Sequence, residues 1–151
     1  MQVTRRQARE WAIQMLTAAD INVSESADEI IAKFWSQLPT LDDEDGGTGG
    51  ETPKGKMRDF VEERVHGVLD NVAQLDETLN ALLEDWDLYR LGTIERAVLR
   101  LGLWELTNTD IPAGVVINEA VDLTNWFSSP KSRSLVNGIL DKVAKGRPTA
   151  K

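Results

Sequence analysis

The stretch Thr93-Ile-Glu-Arg-Ala-Val-Leu-Arg-Leu-Gly-Leu-Trp-Glu-Leu106 decides the fold. Ile94, Ala97, Val98, Leu101 and Trp104 recur at helical spacing, and Leu99, Leu103 and Leu106 fill the opposite side. A helix apolar nearly all round belongs inside a domain, enclosed by other helices. Its charges, Glu95, Arg96, Arg100 and Glu105, leave a narrow strip to face water or a partner. The segment is expected to be the central helix, with Thr93 as its cap after Gly92 ends the piece before it.

Downstream, Asp110-Ile-Pro112 breaks the chain, because Pro112 has no amide to donate and disfavours helix at Ile111. The next helix carries Ile117, Ala120, Val121 and Thr124 on one face and ends at Trp126 and Phe127. Ser129-Pro130 is a helix start, a capping oxygen followed by proline at the first helical position. Leu135, Val136, Ile139, Leu140 and Val143 then form the apolar stripe of the last helix.

Upstream, Thr4 to Gln7 fits a capping box before Ala8, Trp11, Ala12, Met15, Leu16 and Ala19, a helix of about four turns. Ser26-Ala-Asp-Glu29 repeats the box ahead of Ile30, Ile31, Phe34, Trp35 and Leu38, and Pro39 ends that helix. Thr52-Pro53 opens a third helix, whose stripe from Phe60 through Val65, Val68, Val72, Leu75 and Leu79 to Leu83 runs to about Asp85. Trp86 to Gly92 reads as a short connecting helix. The expected fold is all-α, with about six or seven helices in two packed sub-bundles around the central buried helix.

Length and charge narrow the function. The 151 residues fit one domain spanning 1–151, and 41% hydrophobic residues supply a core. The absence of cysteine excludes disulfides and thiolate sites and is compatible with the cytoplasm, and no apolar run approaches a membrane span. The net charge is −8 but unevenly spread. Residues 1–10 hold Arg5, Arg6 and Arg9 against Glu10, a local +2. Residues 131–151 hold six cations against Asp141, a local +5, which includes the basic tail 145–151 and leaves −15 for the other 120 residues. Charges are screened over about 8 Å at physiological salt, so a polyanion responds to the local patch. If the two ends meet, they make one positive surface. Cations in the first turn of a helix oppose its dipole, which suggests a use for Arg5, Arg6 and Arg9, with phosphate contact the obvious one. The segment 40–52 carries five acids, four glycines and one apolar residue, and is expected to be a mobile loop.

Catalytic signatures are missing. No nucleophile elbow, Walker loop, metal box or dinucleotide fingerprint occurs, and no cofactor is implied. His66, the only histidine, is read as a surface or half-buried residue rather than a ligand or base. Asn118, Glu119 and Asn137 are read as buried groups satisfying backbone at helix contacts, and most tryptophans as core, with Trp126 set apart by its place beside the turn 128–133.

Four fragments in order carry a resemblance: Ile94-Glu-Arg-Ala-Val-Leu-Arg-Leu with Trp104-Glu-Leu, Ile117-Asn-Glu-Ala-Val-Asp-Leu, Phe127, and Leu135-Val-Asn-Gly-Ile-Leu-Asp-Lys142. With Arg5-Arg6-Gln-Ala-Arg9-Glu at the start, the chain resembles the NusB family of bacterial transcription antitermination factors. The resemblance implies a non-enzymatic protein that recognises the single-stranded boxA element of nascent ribosomal RNA leaders. It would act with the small-subunit ribosomal protein that serves as NusE, in the transcription elongation complex. By position it makes Arg5, Arg6, Arg9, Lys131, Ser132 and Arg133 the RNA candidates. Thr17, Glu95 and Arg96 become the partner candidates.

The chain departs from its relatives in having Thr17 where many carry an aromatic residue, Lys131 where some carry an acid, and a longer acidic loop. The competing reading is a helical protein-interaction or dimerisation module without RNA contact, and a homodimer through the same apolar patch is compatible with the sequence.

Overall fold

Helix starts written into the sequence set the order of the elements. In the computed structural model, which describes residues 4–37, 55–84, 87–127 and 130–146, these residues form seven α-helices and one 3₁₀ turn. The helices are α1 (Arg5–Ile21), α2 (Ala27–Gln37), α3 (Lys56–Asp70), α4 (Val72–Leu82), α5 (Thr93–Asn108), α6 (Ala113–Phe127) and α7 (Pro130–Lys145), with the turn at Leu88–Arg90. The segment 40–52, Pro53, Trp86, Ser129, the tail beyond Gly146 and the side chains of Trp126 and Phe127 lie outside the described residues. Two compact units divide between His66 and Gly67, within α3.

In the first unit, both expected capping oxygens are in place. The Thr4 hydroxyl accepts the Gln7 N–H at 3.0 Å. Ser26 and Glu29 close a reciprocal box: the Ser26 N–H donates to Glu29 Oε1 at 2.8 Å and the Glu29 N–H to Ser26 Oγ at 3.1 Å. Those hydrogen bonds hold the Glu29 carboxyl below the usual glutamate range. Ala8, Trp11, Ala12, Met15 and Leu16 from α1, Ile30, Ile31 and Trp35 from α2, and Val61 and Val65 from α3 are buried. Trp11 and Trp35 meet edge to face at 5.7 Å between centroids, a geometry in which the positive ring edge faces the negative face. The Trp35 indole N–H and the Arg58 Nε both donate to Glu62 Oε2 at 2.8 Å. Burial raises the Glu62 carboxyl, but these two donors outweigh it and leave the group below its ordinary value. His66 is half-buried, its Nε2 3.1 Å from Asp28.

The second unit is built on α5, which packs against α4, α6 and α7. Every residue of α5 from Arg96 to Leu106 is buried, as an apolar surface extending round the helix requires. Gly102 lets α7 approach closely: a Cβ there would sit 2.8 Å from the Leu140 side chain. Pro112 precedes α6, and its carbonyl accepts the Val115 and Val116 N–H groups at 3.0 and 3.1 Å. Pro130 is the first residue of α7, whose buried row is Val136, Ile139 and Leu140.

Several expectations need correction. The third helix does not run unbroken to Asp85, because Asn71 interrupts it. Its side-chain amide donates to the Gly67 carbonyl at 2.8 Å and its N–H to the Val68 carbonyl at 3.2 Å, and α4 starts afresh at Val72. The stripe continues in register across this break, so periodicity could not reveal it. The cap of α5 is Gly92, not Thr93: Gly92 is extended at φ −66° and ψ 160°, and the Glu95 carboxylate occupies the space a side chain would take. The strip of α5 charges does not face water, since Arg96, Arg100 and Glu105 are 9%, 5% and 2% exposed. On α6 the buried face is Val116, Ala120, Leu123 and Thr124, with Ile117 and Val121 only half-buried, a rotation of about one residue. Asn118 and Asn137 are exposed rather than buried, and the connecting helix is only the single 3₁₀ turn.

Two glycines make the packing testable. A Cβ at Gly67 would collide with the Trp104 indole, whereas one at Gly138 meets nothing within 4 Å. Gly67→Ala is expected to destabilise the protein by about 1–3 kcal/mol in urea unfolding, overpacking outweighing the gain in helix propensity. Gly138→Ala is expected to stabilise it by about 0.5–1 kcal/mol. The lowered Glu29 and Glu62 carboxyls carry a pH expectation. Their contribution is complete above the unfolded glutamate pKa of about 4.3 and is lost as pH falls through the lower folded values. Glu29→Gln with Glu62→Gln should flatten that acid limb of the stability profile.

Candidate nucleic-acid interface

Positioning starts with a buried ion pair in the second unit. Arg100 of α5 meets Asp76 of α4 through two hydrogen bonds, Nε to Oδ1 at 2.7 Å and Nη2 to Oδ2 at 2.8 Å. The Tyr89 hydroxyl donates to the same Asp76 Oδ2 at 2.9 Å, tying the 3₁₀ turn to both helices. Three further bonds clamp that turn. The Leu88 N–H donates to Asn80 Oδ1 and the Tyr89 N–H to Asp87 Oδ1, both at 2.9 Å, and Arg96 Nη1 donates to the Leu91 carbonyl at 2.6 Å. Arg96 therefore spends donors on local backbone, although it was expected to face a partner. Arg90, on the same turn, is exposed.

Next to the turn, the first turns of α5 and α7 are joined. The Ser132 hydroxyl donates to Glu95 Oε2 at 2.8 Å, linking residues 37 positions apart. An open groove of about 550 Å³ lies here, lined by Arg90, Leu91, Glu95, Lys131, Ser132 and Leu135 among others. Of the three α7 candidates, Lys131 is exposed and Ser132 and Arg133 are half-buried. The Arg133 Nε is buried and meets no acceptor among the described residues.

In the first unit, Arg5 is exposed, Arg6 half-buried and Arg9 buried at 3% exposure. Arg9, expected to contact phosphate, is therefore largely shielded from solvent. Its guanidinium lies 5.3 Å from the centroid of Phe60, with Arg5 at 5.6 Å and Arg64 at 3.5 Å from the same ring. Each such contact contributes about 0.5–2 kcal/mol, which helps three cations share one neighbourhood. The sequence reading placed Phe60 only in the apolar stripe of the third helix and did not single out Arg64; their i, i+4 spacing on α3 was the available signal. Thr17 is half-buried, and its hydroxyl donates to the Gln14 carbonyl at 2.9 Å. Among the described residues no cluster of three or more His, Cys, Asp or Glu is placed to hold a metal ion. Among the same residues no helix is long and apolar enough to cross a membrane.

Comparison with known proteins extends over nearly the whole chain. The model of the NusB family matches residues 6–145. A transcription antitermination protein NusB from Anaeromyxobacter dehalogenans is 37% identical over 147 residues, covering 97% of this chain and 94% of the relative. The solved structure of NusB from T. maritima superposes with a TM-score of 0.82 at 29% identity, covering 98% of this chain and 96% of that one. A chain in the crystal structure of antitermination factors NusB and NusE in complex with dsRNA gives a TM-score of 0.74 at 24% identity, covering 94% and 96%. At that identity it speaks to the fold alone.

The Asp76 to Arg100 pair is the most vulnerable point of this arrangement. Asp76→Ala would leave the Arg100 guanidinium buried and uncompensated, and is expected to cost about 3–5 kcal/mol in thermal or urea unfolding. Tyr89→Phe removes a hydroxyl that donates to the charged Asp76 and should cost about 1.5–3 kcal/mol.

Proposed function

The chain belongs to the NusB family, a family of non-enzymatic RNA-binding regulators of transcription antitermination. On that premise we propose that it recognises the single-stranded boxA element of nascent ribosomal RNA leaders, in the cytoplasm, together with the small-subunit ribosomal protein that serves as NusE. The observation that carries this reading is the first turn of α7. It presents exposed Lys131 beside half-buried Arg133 where cations oppose the helix dipole. An arrangement that costs free energy in the isolated protein is offset when an anion arrives.

Lys131 and Arg133 from the second unit, and Arg5 and Arg6 from the first, are the phosphate-contacting residues of this proposal, while Ser132, its hydroxyl donated to Glu95, holds the start of α7. Phosphate contacts set affinity and register, while sequence is read from exposed bases. Arg9, held against Phe60, shapes the arginine cluster from within. For the protein partner, Thr17 in the first unit and Glu95 in the second are the proposed contacts, and Arg96 fixes Leu91 at the start of α5.

If about four phosphates are neutralised, the logarithm of the binding constant should fall against the logarithm of salt concentration with a slope near −3. Arg6→Glu and Lys131→Glu, each measured by gel shift at 0.1 M salt with and without the ribosomal partner, should weaken boxA binding about tenfold, since one lost phosphate contact costs about 0.7 logarithmic units at that salt and the reversed charge adds repulsion. Partner capture should survive. Undiminished RNA binding by both variants would leave a protein-interaction module instead.

A further inference from the structure

Three guanidiniums lie about the Phe60 ring within the first unit: Arg64 at 3.5 Å from the centroid, Arg9 at 5.3 Å and Arg5 at 5.6 Å. We infer that Phe60 is a positioning residue, whose ring holds the Arg5 side chain ready for phosphate without neutralising its charge. The inference deepens the RNA-binding reading and rests on it.

An exposed arginine can be oriented in two ways. A carboxylate fixes it with strong bonds but cancels its charge. An aromatic face attracts it through the ring quadrupole and leaves the net charge intact. Helix α3 takes part in both. Arg58 lies 5.5 Å from the Trp35 centroid and also donates to Glu62 at 2.8 Å, so its charge is answered within the protein. Arg5 is exposed, and among the described residues its side chain makes no ion pair; the Phe60 ring is its contact. It is also the first residue of α1, where the helix dipole opposes a cation, and attraction to the ring offsets part of that opposition.

The other two guanidiniums are out of a ligand's reach, since Arg9 and Arg64 are each 3% exposed. Arg64 is tied down by bonds to the Phe60 carbonyl at 3.2 Å and to Glu63 at 3.3 Å, and it braces the ring on which Arg5 rests. A long side chain loses rotamer freedom when a ligand immobilises it. Contact with a ring already held in place removes part of that loss from the binding step.

The test is fluorescence polarisation of the full chain with a labelled single-stranded boxA RNA across a salt series. Phe60→Leu and Phe60→Met keep an apolar side chain at this half-buried position. Both should lower affinity about threefold to fivefold and leave the salt slope unchanged, because no cation is removed. Phe60→Tyr, which keeps the ring, should bind as the wild type does. Arg5→Ala should lower affinity about fivefold at 0.1 M salt and make the slope shallower by about 0.7, and adding Phe60→Leu to it should cost nothing more. The inference is overturned if folded Phe60→Leu or Phe60→Met protein binds with unchanged affinity. It is equally overturned if Phe60→Leu weakens binding as much with Arg5→Ala as without it, which would make the ring a packing residue only. Either outcome leaves the RNA function standing, whereas wild-type protein that binds no RNA removes both readings together.

Discussion

The second unit depends on one buried electrostatic commitment. Two charges taken out of water at Arg100 and Asp76 are tolerable because they meet through paired short bonds and because Tyr89 takes up a remaining acceptor site. The pair fixes α4 to α5 and, through Tyr89, fixes the 3₁₀ turn to both. A hydrophobic substitute could fill the same space but could not aim the turn. The same network holds the backbone of Arg90 and Leu91, which line the groove beside α7.

A second constraint is electrostatic frustration at helix starts. Lys131 and Arg133 stand in the first turn of α7, where the unsatisfied N–H groups already concentrate positive charge. In the first unit, Arg5, Arg9 and Arg64 gather round Phe60, which partly relieves their mutual repulsion. Under the proposed RNA-binding reading, a phosphate would add a favourable contact at the start of α7.

Local rules made most helix starts legible. Thr4, Ser26 and Glu29, Pro112 and Pro130 each act by short-range hydrogen bonding or a fixed φ, which depends on neighbours in the chain alone. The break at Asn71 was hidden because it preserves the phase of the apolar stripe, and the Gly92 cap because its reason is the Glu95 side chain folding back over it. Burial of Arg96, Arg100 and Glu105 was misread for a more general reason: charge on a helix is usually solvated, and only tertiary partners such as Asp76 reverse that. Lys131 to Arg133 were found through family likeness, whereas Arg90 beside the groove, and the seat that Phe60 offers Arg9, become visible only once neighbouring elements are in place.

Backbone amide chemical shifts of the full chain, followed while single-stranded boxA RNA is titrated in, test the central claim most directly, because they report on each residue without any substitution. The account predicts saturable shifts at Arg90 to Glu95 and at Lys131 to Arg133, lost together on raising the salt concentration. Saturable RNA binding that leaves both of those segments unmoved would contradict it.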